Sequence, residues 1–271
     1  TYVSSVLGGV ATTSVIGYEL DMVIWLPLSG LAATLIGIIL SPVSARLKGL
    51  NLGLVTLALV FIGSHFFSNL KFITGGAGLG RKAAKLTFLG VDLESGLTFG
   101  NLIIEKNDVI YFFSLVLCIL LGIGVKNISR SKIGRAFSAI RDRDIAAEAL
   151  GINLFKYKMY AFGISSFYGG IAGSLLFTLS GGVEPGSFNL LYSITFVAIV
   201  IIGGVGTVLG PIFGAFFFTM LPGIIQAVLH ALGIADSGFI LNPAEIERIV
   251  FAFFIIFLSL IHISEPTRRS T

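Results

Sequence analysis

Long apolar runs alternate with short polar breaks along nearly the whole chain. The runs cover about 22–40, 50–68, 109–125, 159–180, 189–206, 208–230 and 246–261. About 20 apolar residues are needed for a helix to cross about 30 Å of hydrocarbon. In lipid each segment must satisfy its own backbone polar groups, so each run predicts a helix. Alternation at period two, which would mark strands of an outer-membrane barrel, is absent. The pattern predicts an all-α, polytopic transmembrane helix bundle with about seven spans. The run at 189–206 is the shortest case. Its apolar core, Leu190 to Ile202, has a length that a re-entrant segment also shows. It is read as a span, which keeps the C-terminus on the inner side.

Composition leads to the same class. Of 271 residues, 55% are hydrophobic and 12% are charged. That charged share is about half of what a soluble domain carries. Mean hydropathy is +0.97. So apolar a chain neither covers a soluble core nor stays disordered. A single cysteine, Cys118, excludes an internal disulfide framework and a cysteine metal cluster. Three scattered histidines argue against a histidine-rich metal site. The 34 glycines fit helices that pack closely through small residues.

The net charge of +4 points to orientation in the membrane before it points to nucleic acid. Lys and Arg mark the inner side. Arg46 and Lys48 place the 41–49 turn there. Lys126, Arg130, Lys132, Arg135, Arg141, Arg143, Lys156 and Lys158 place the 126–158 loop on the same side. The short loops opposite carry Glu184, Asp236, Glu245 and Glu247. The 69–108 loop then lies outside, with a flexible turn at Thr74–Gly80.

The ends read differently from the body. Residues 1–12 are too few to span and read as the outer end of a helix that starts before Thr1. Residues 262–271 shift abruptly in composition and read as a non-native tail. This leaves one transmembrane domain over 1–261.

The most informative stretch is Ser131–Lys158. Ile133, Phe137 and Ile140 recur at helical spacing, and Ile145 and Ala149 continue less regularly. Several alanines favour helix. Gly151 is placed to stop the helix in a left-handed cap, and Asn153 to start the next. The prediction is a short amphipathic helix on the inner face, broken at Gly151. Its apolar stripe faces lipid, its own bundle or a partner. Asp142, Asp144 and Glu148 among the arginines favour protein over anionic lipid.

Here the sequence resembles a known family. Gly134-Arg135-Ala136-Phe137-Ser138-Ala139-Ile140-Arg141-Asp142-Arg143-Asp144-Ile145-Ala146-Ala147-Glu148-Ala149-Leu150-Gly151-Ile152-Asn153 resembles the cytoplasmic loop of branched-chain amino acid ABC transporter permeases of the M type. Gly169-Gly170-Ile171-Ala172-Gly173, Gly203-Gly204-Val205-Gly206 with Gly210-Pro211, Arg46-Leu47-Lys48-Gly49-Leu50 and Thr74-Gly75-Gly76-Ala77-Gly78-Leu79 extend the match over nearly all of 1–260. Ile145-Ala146-Ala147 with Gly151 also has the spacing of the wider importer signature, with Ile where that signature has Glu.

The resemblance implies a permease subunit in a bacterial inner (plasma) membrane, forming the path for branched-chain amino acids. Urea and short-chain amides are the nearest alternative cargoes. The loop becomes a coupling helix docked on a separate ATPase, with Phe137 and Ile140 as apolar anchors. Arg135, Arg141, Asp142 and Glu148 form its charged rim, and Ala146, Ala147 and Gly151 complete the motif. The implied partners are two ABC ATPase subunits, a second permease subunit, a periplasmic substrate-binding protein and membrane lipid, but no nucleic acid. ATP and Mg belong to the ATPase partners, and no cofactor or metal to this chain.

The remaining candidates carry weaker signals. Gly75 to Lys82 comes nearest to a phosphate-binding loop, but Arg81 follows Gly80 and no Ser or Thr follows Lys82. His65 lies near the end of an apolar run, and ionisable groups at membrane depth are functional candidates. Thr56, His65, Ser193 and Thr195 are the candidates for a polar substrate path, although such groups also serve as interhelical hydrogen bonds. Gly169, Gly170 and Gly173 form a close-packing face, with Gly169 and Gly173 as a Gly-x-x-x-Gly pair. No nucleophile–base set or carboxylate pair suggests catalysis, so the chain is not read as an enzyme. An ATP-independent secondary transporter predicts buried charges in the spans, and apart from His65 these are nearly free of them.

Overall fold

The computed structural model describes residues 1–11, 16–47, 50–75, 80–82, 84, 86–88, 90–92, 97–99, 102–104, 106–187, 190–204, 206–231 and 253. The expected span at 246–261, apart from Phe253, and the tail at 262–271 lie outside them. The chain divides into two compact units, Thr1–Leu190 and Leu191–Thr271, each taken by itself.

Ten helices are present among the described residues: α1 (Tyr2–Leu7), α2 (Met22–Arg46), α3 (Leu50–Asn69), α4 (Lys71–Thr74), α5 (Lys106–Arg130), α6 (Lys132–Asp142), α7 (Asp144–Ala149), α8 (Leu154–Leu179), α9 (Leu190–Gly203) and α10 (Gly210–Ala231). Among the described residues four stretches are long and apolar enough to cross a membrane: Met22–Val43, Asn107–Arg130, Pro185–Gly203 and Gly210–Val228. Leu54–Asn69 is a shorter apolar helix. The protein is an all-α polytopic membrane protein.

Six short strands among the described residues, β1 (Arg81–Lys82), β2 (Thr87–Phe88), β3 (Val91–Asp92), β4 (Leu97–Phe99), β5 (Leu102–Ile104) and β6 (Gly182–Val183), form three antiparallel pairs. β2–β3 and β4–β5 pair within the 69–108 connection. β1 pairs with β6, placing Arg81 opposite Val183. This long-range pair ties that connection to the turn after α8. The expected turn at Thr74–Gly80 is bounded by left-handed Gly75 (φ 79°) and Gly80 (φ 61°), and 76–79 lie outside the described residues.

The centre of the first unit is the antiparallel pair α2–α8, packed through small residues. A Cβ added at Gly170 would stand 2.7 Å from Ala33 Cβ and 2.8 Å from the Ser29 carbonyl. Gly30 lies under Phe167 and Ile171, and Gly37 under Ser166. Small residues let two helices approach where lipid supplies no hydrophobic drive between them. The opposite face of α2 carries exposed Leu31, Leu35 and Ile39, one turn apart. Such an apolar stripe is a liability in water and the natural surface in lipid.

Of the expected face of Gly169, Gly170 and Gly173, Gly170 alone packs on α2. Gly169 has open space around it, and a Cβ on Gly173 would meet only Thr1. Gly163 and Gly170, two turns apart, do the packing. The helix rotates so that Ser174, one turn beyond Gly170, also reaches α2.

One end of the pair holds the apolar core: Met22, Trp25, Leu26, Ala84, Leu86, Ile110 and Ile171. Tyr2 stacks on Phe67 nearby, at 5.0 Å between ring centroids. α5 runs from this core to the other end and is tied to α8 by Tyr168 Oη, which donates to the Leu121 carbonyl at 3.2 Å. In the second unit, α9 and α10 meet at glycines. A Cβ on Gly203 would overlap the Gly210 carbonyl, and one on Gly214 the Ile199 carbonyl. Gly204 (φ 103°) and Gly206 (φ 93°) make the turn between them.

Candidate functional site

The 131–153 segment is built by three local stops. Ser131 caps α6, its Oγ accepting from Ile133 N at 3.2 Å and from Gly134 N at 3.4 Å. At the far end Ile152 N donates to the Ala147 carbonyl at 3.0 Å and Gly151 N to that of Glu148 at 2.9 Å. These are the two bonds of a Schellman termination, with Gly151 left-handed at φ 84°. Asn153 then caps α8, its Oδ1 accepting from Lys156 N at 3.0 Å. The stop at Gly151 and the start at Asn153 are where the sequence places them.

The single amphipathic helix expected here is two helices. Arg143 adopts an extended conformation (φ −153°, ψ 99°) and separates α6 from α7. Its N–H still closes α6 on the Ala139 carbonyl at 3.1 Å. The break turns the two apolar faces in different directions.

On α6 the apolar face turns toward its own protein. Ala136 is buried, Gly134 sits against the Ile128 and Ser129 carbonyls, and Ile133 and Ile140 are half-buried. Half-buried Phe137 meets Tyr157 of α8 edge-on, at 6.4 Å between centroids and 89° between planes. On α7 Ala147 is buried, while Ile145 is 78% and Leu150 81% exposed. The large apolar side chains turned outward are therefore Ile145 and Leu150, not Phe137. Reading the stripe as continuous past Arg143 hides this. The irregular spacing of Ile145 after Ile140 is the signal that marks the break.

Charged residues of the same segment are exposed as well. Arg135, Arg141, Asp142 and Glu148 are exposed, as is Ala146. Arg141 Nε donates to Asp142 Oδ1 at 3.1 Å with both side chains more than half exposed, a pair of little energetic weight. Arg135 Nη1 donates to the Arg130 carbonyl at 3.0 Å, bridging α5 and α6.

Within neither unit do the polar-path candidates share a helix face. Thr56 and His65 both lie on α3 and are exposed. Nine residues at 3.6 per turn put them about half a turn apart, on opposite faces. Asn69 Nδ2 lies 3.2 Å from His65 Nε2 and donates to the His65 carbonyl at 2.8 Å. Ser193 and Thr195 lie on α9 in the second unit, two residues apart and so also on different faces.

A buried charge at the other end of the first unit has no counterpart among the sequence candidates. Arg81 is 6% exposed. Its Nη1 donates to the Ile73 carbonyl at 3.1 Å and its Nη2 to that of Ile16. Burial lowers its pKa from the ordinary arginine value.

Comparison with known proteins agrees with this architecture. Residues 2–259 match the family described as branched-chain amino acid transport system / permease component. The high-affinity branched-chain amino acid transport system permease protein LivM of Salmonella typhimurium is 32% identical over 213 residues, 73% of this chain and 50% of that protein. LivM of Escherichia coli K12 gives the same identity and coverage. The ribose import permease protein RbsC of Haemophilus influenzae is 27% identical over 110 residues, 38% of this chain and 32% of that protein. The chain thus spans about half the length of the LivM proteins it matches. No solved structure matches. The family match over nearly the whole chain, with the α2–α8 helix pair and the capped α6–α7 loop, places this chain in the family of branched-chain amino acid transport system permease components.

Proposed function

We propose that the chain forms the translocation path of an ABC importer for branched-chain amino acids in a bacterial inner membrane. The α6–α7 segment couples that path to a separate ATPase that carries ATP and Mg. A second permease, a second ATPase copy and a periplasmic binding protein complete the assembly. The observation that supports the reading best is α7. A loop held by a side-chain cap at one end and a Schellman stop at the other carries two large apolar side chains outward, with exposed charged side chains in the same segment. An ordered apolar surface of this kind matches the apolar anchors of a protein interface.

The test is co-purification of the intact permease with its ATPase subunits. Wild-type permease retains the ATPase, and an Ile145→Ala/Leu150→Ala variant loses most of it. Burying one such side chain is worth about 1.5–3 kcal/mol, so the double change weakens capture by at least about tenfold. Failure of the wild type to retain any ABC ATPase sinks the coupling role. The similarity to a ribose permease supports sugar import as the second reading, and uptake of leucine against ribose by the reconstituted importer decides between them.

A further inference from the structure

The junction between α5 and α6 gathers cations and holds no acid. Between Asp108 and Asp142 the chain carries Lys126, Arg130, Lys132, Arg135 and Arg141, and no Asp or Glu. The first four are exposed. Lys126 and Arg130 stand one turn apart on one face of α5. Lys132 follows across the single residue Ser131, and Arg135 Nη1 comes back to the Arg130 carbonyl at 3.0 Å. Cations near the end of a helix ordinarily serve its last carbonyls. Here other groups meet those carbonyls. Ser129 Oγ donates to that of Lys126 at 2.8 Å, Ser131 Oγ to that of Ile128 at 2.7 Å, and Arg135 to that of Arg130. Among the described residues no carboxylate or other acceptor meets the side chains of Lys126, Arg130 or Lys132.

The same face of α5 is apolar up to these cations. Val116, Ile119, Leu120 and Ile123 are between 51% and 60% exposed. They follow one another at three- and four-residue steps that continue to Lys126 and Arg130, so all six share one face. Asn107–Arg130 is long and apolar enough to cross a membrane. The apolar column then lies at hydrocarbon depth and the cations at its edge.

We infer that the α5–α6 junction holds an anionic phospholipid, its phosphate among Lys126, Arg130 and Lys132 and an acyl chain along the Val116–Ile123 column. Charge complementarity sets the headgroup, and the column sets the class of molecule. A free phosphate makes no use of the column, and an acidic protein reaches it only by entering the hydrocarbon. Each Lys or Arg near an anionic surface adds about a fivefold preference for it. The acids of the segment begin at Asp142, so this patch is separate in the chain from the α7 side chains assigned to ATPase docking. It depends neither on the cargo nor on the coupling proposed above.

Native mass spectrometry of the intact permease in detergent tests the site. The probes are phosphatidylglycerol, phosphatidylethanolamine with the same acyl chains, and glycerophosphoglycerol, the anionic headgroup without chains. The expected result is saturable retention of phosphatidylglycerol, at least about tenfold tighter than phosphatidylethanolamine, and no displacement by excess glycerophosphoglycerol. Lys126→Gln/Arg130→Gln/Lys132→Gln lowers the affinity for phosphatidylglycerol at least about tenfold and leaves that for phosphatidylethanolamine alone. Where this triple variant does not fold, Lys126→Gln by itself carries the test, with a loss of about fivefold. Removal of three charges elsewhere, by Lys71→Gln/Lys82→Gln/Arg143→Gln, leaves phosphatidylglycerol binding unchanged. Equal binding of the two lipids, equal losses in the two triple variants, or displacement by glycerophosphoglycerol overturns the site. So does a junction variant that loses ATPase capture and keeps phosphatidylglycerol, because the patch then belongs to an acidic protein surface.

Discussion

Ser174 Oγ donates to Ser29 Oγ at 2.8 Å between α8 and α2, and both side chains are buried. The same Ser174 hydroxyl lies 2.8 Å from the Gly170 carbonyl one turn back, and Ser29 Oγ donates to the Leu26 carbonyl at 2.7 Å. Ser29 uses its one proton within its own helix, and Ser174 shares its one proton between Ser29 Oγ and the Gly170 carbonyl, so the contact between them adds specificity to a seam already made by glycines.

This sets an order of effects along the seam. Ser174→Ala loses about 0.6 kcal/mol, the average for an interhelical hydrogen bond in a membrane. Gly170→Val is far worse, because its Cβ would press on Ala33 and the Ser29 carbonyl at under 3 Å. Unfolding of the purified protein in mixed detergent is expected to show a small shift for the first and loss of the folded state for the second. Equal effects would mean that the hydroxyls, not the glycines, hold the pair.

Gly151 has φ 84° and open space where a side chain would stand. Substitution there is a backbone matter alone. Gly151→Ala costs about 1–2 kcal/mol through left-handed strain, and Gly151→Asn less. Gly151→Pro costs more, since proline cannot adopt this φ and the bond to the Glu148 carbonyl is lost. Thermal melts of the three variants are expected in the order Asn, Ala, Pro from mildest to worst.

Phe137 and Leu150 separate stability from docking. Phe137 packs on Tyr157 within the protein, and aromatic pairs are worth about 0.5–1.5 kcal/mol beyond area burial. Phe137→Ala is expected to lower the melting temperature of the isolated permease. Leu150→Ala is expected to leave it unchanged and to reduce ATPase capture. The opposite split would place the anchor on α6.

The two caps give a further comparison. Ser131→Ala and Asn153→Ala each remove a side-chain acceptor from a helix start, worth about 1 kcal/mol. Asn153→Asp keeps the acceptor and adds charge at the favourable end of the α8 dipole. Hydrogen exchange at Lys156 N is expected to speed up in Asn153→Ala and to remain slow in Asn153→Asp.

The sequence by itself determined the membrane class, the positions of the described long helices, the stop at Gly151, the start at Asn153 and the family. Each depends on chemistry local to a few residues: span length, left-handed glycine, a capping amide, a shared motif. Only the tertiary structure decided which face of each helix looks inward. Lipid is as apolar as the interior, so the hydrophobic pattern that orients a soluble helix carries little of that information here. Of the three glycines expected to pack, Gly170 therefore meets α2 and Gly169 does not, and Phe137 rather than Leu150 turns toward α8. Arg81 was hidden for a related reason. In the sequence it is one cation in an outer loop. It becomes a buried charge because the pairing of β1 with β6, about a hundred residues apart in the chain, folds that loop back onto the bundle.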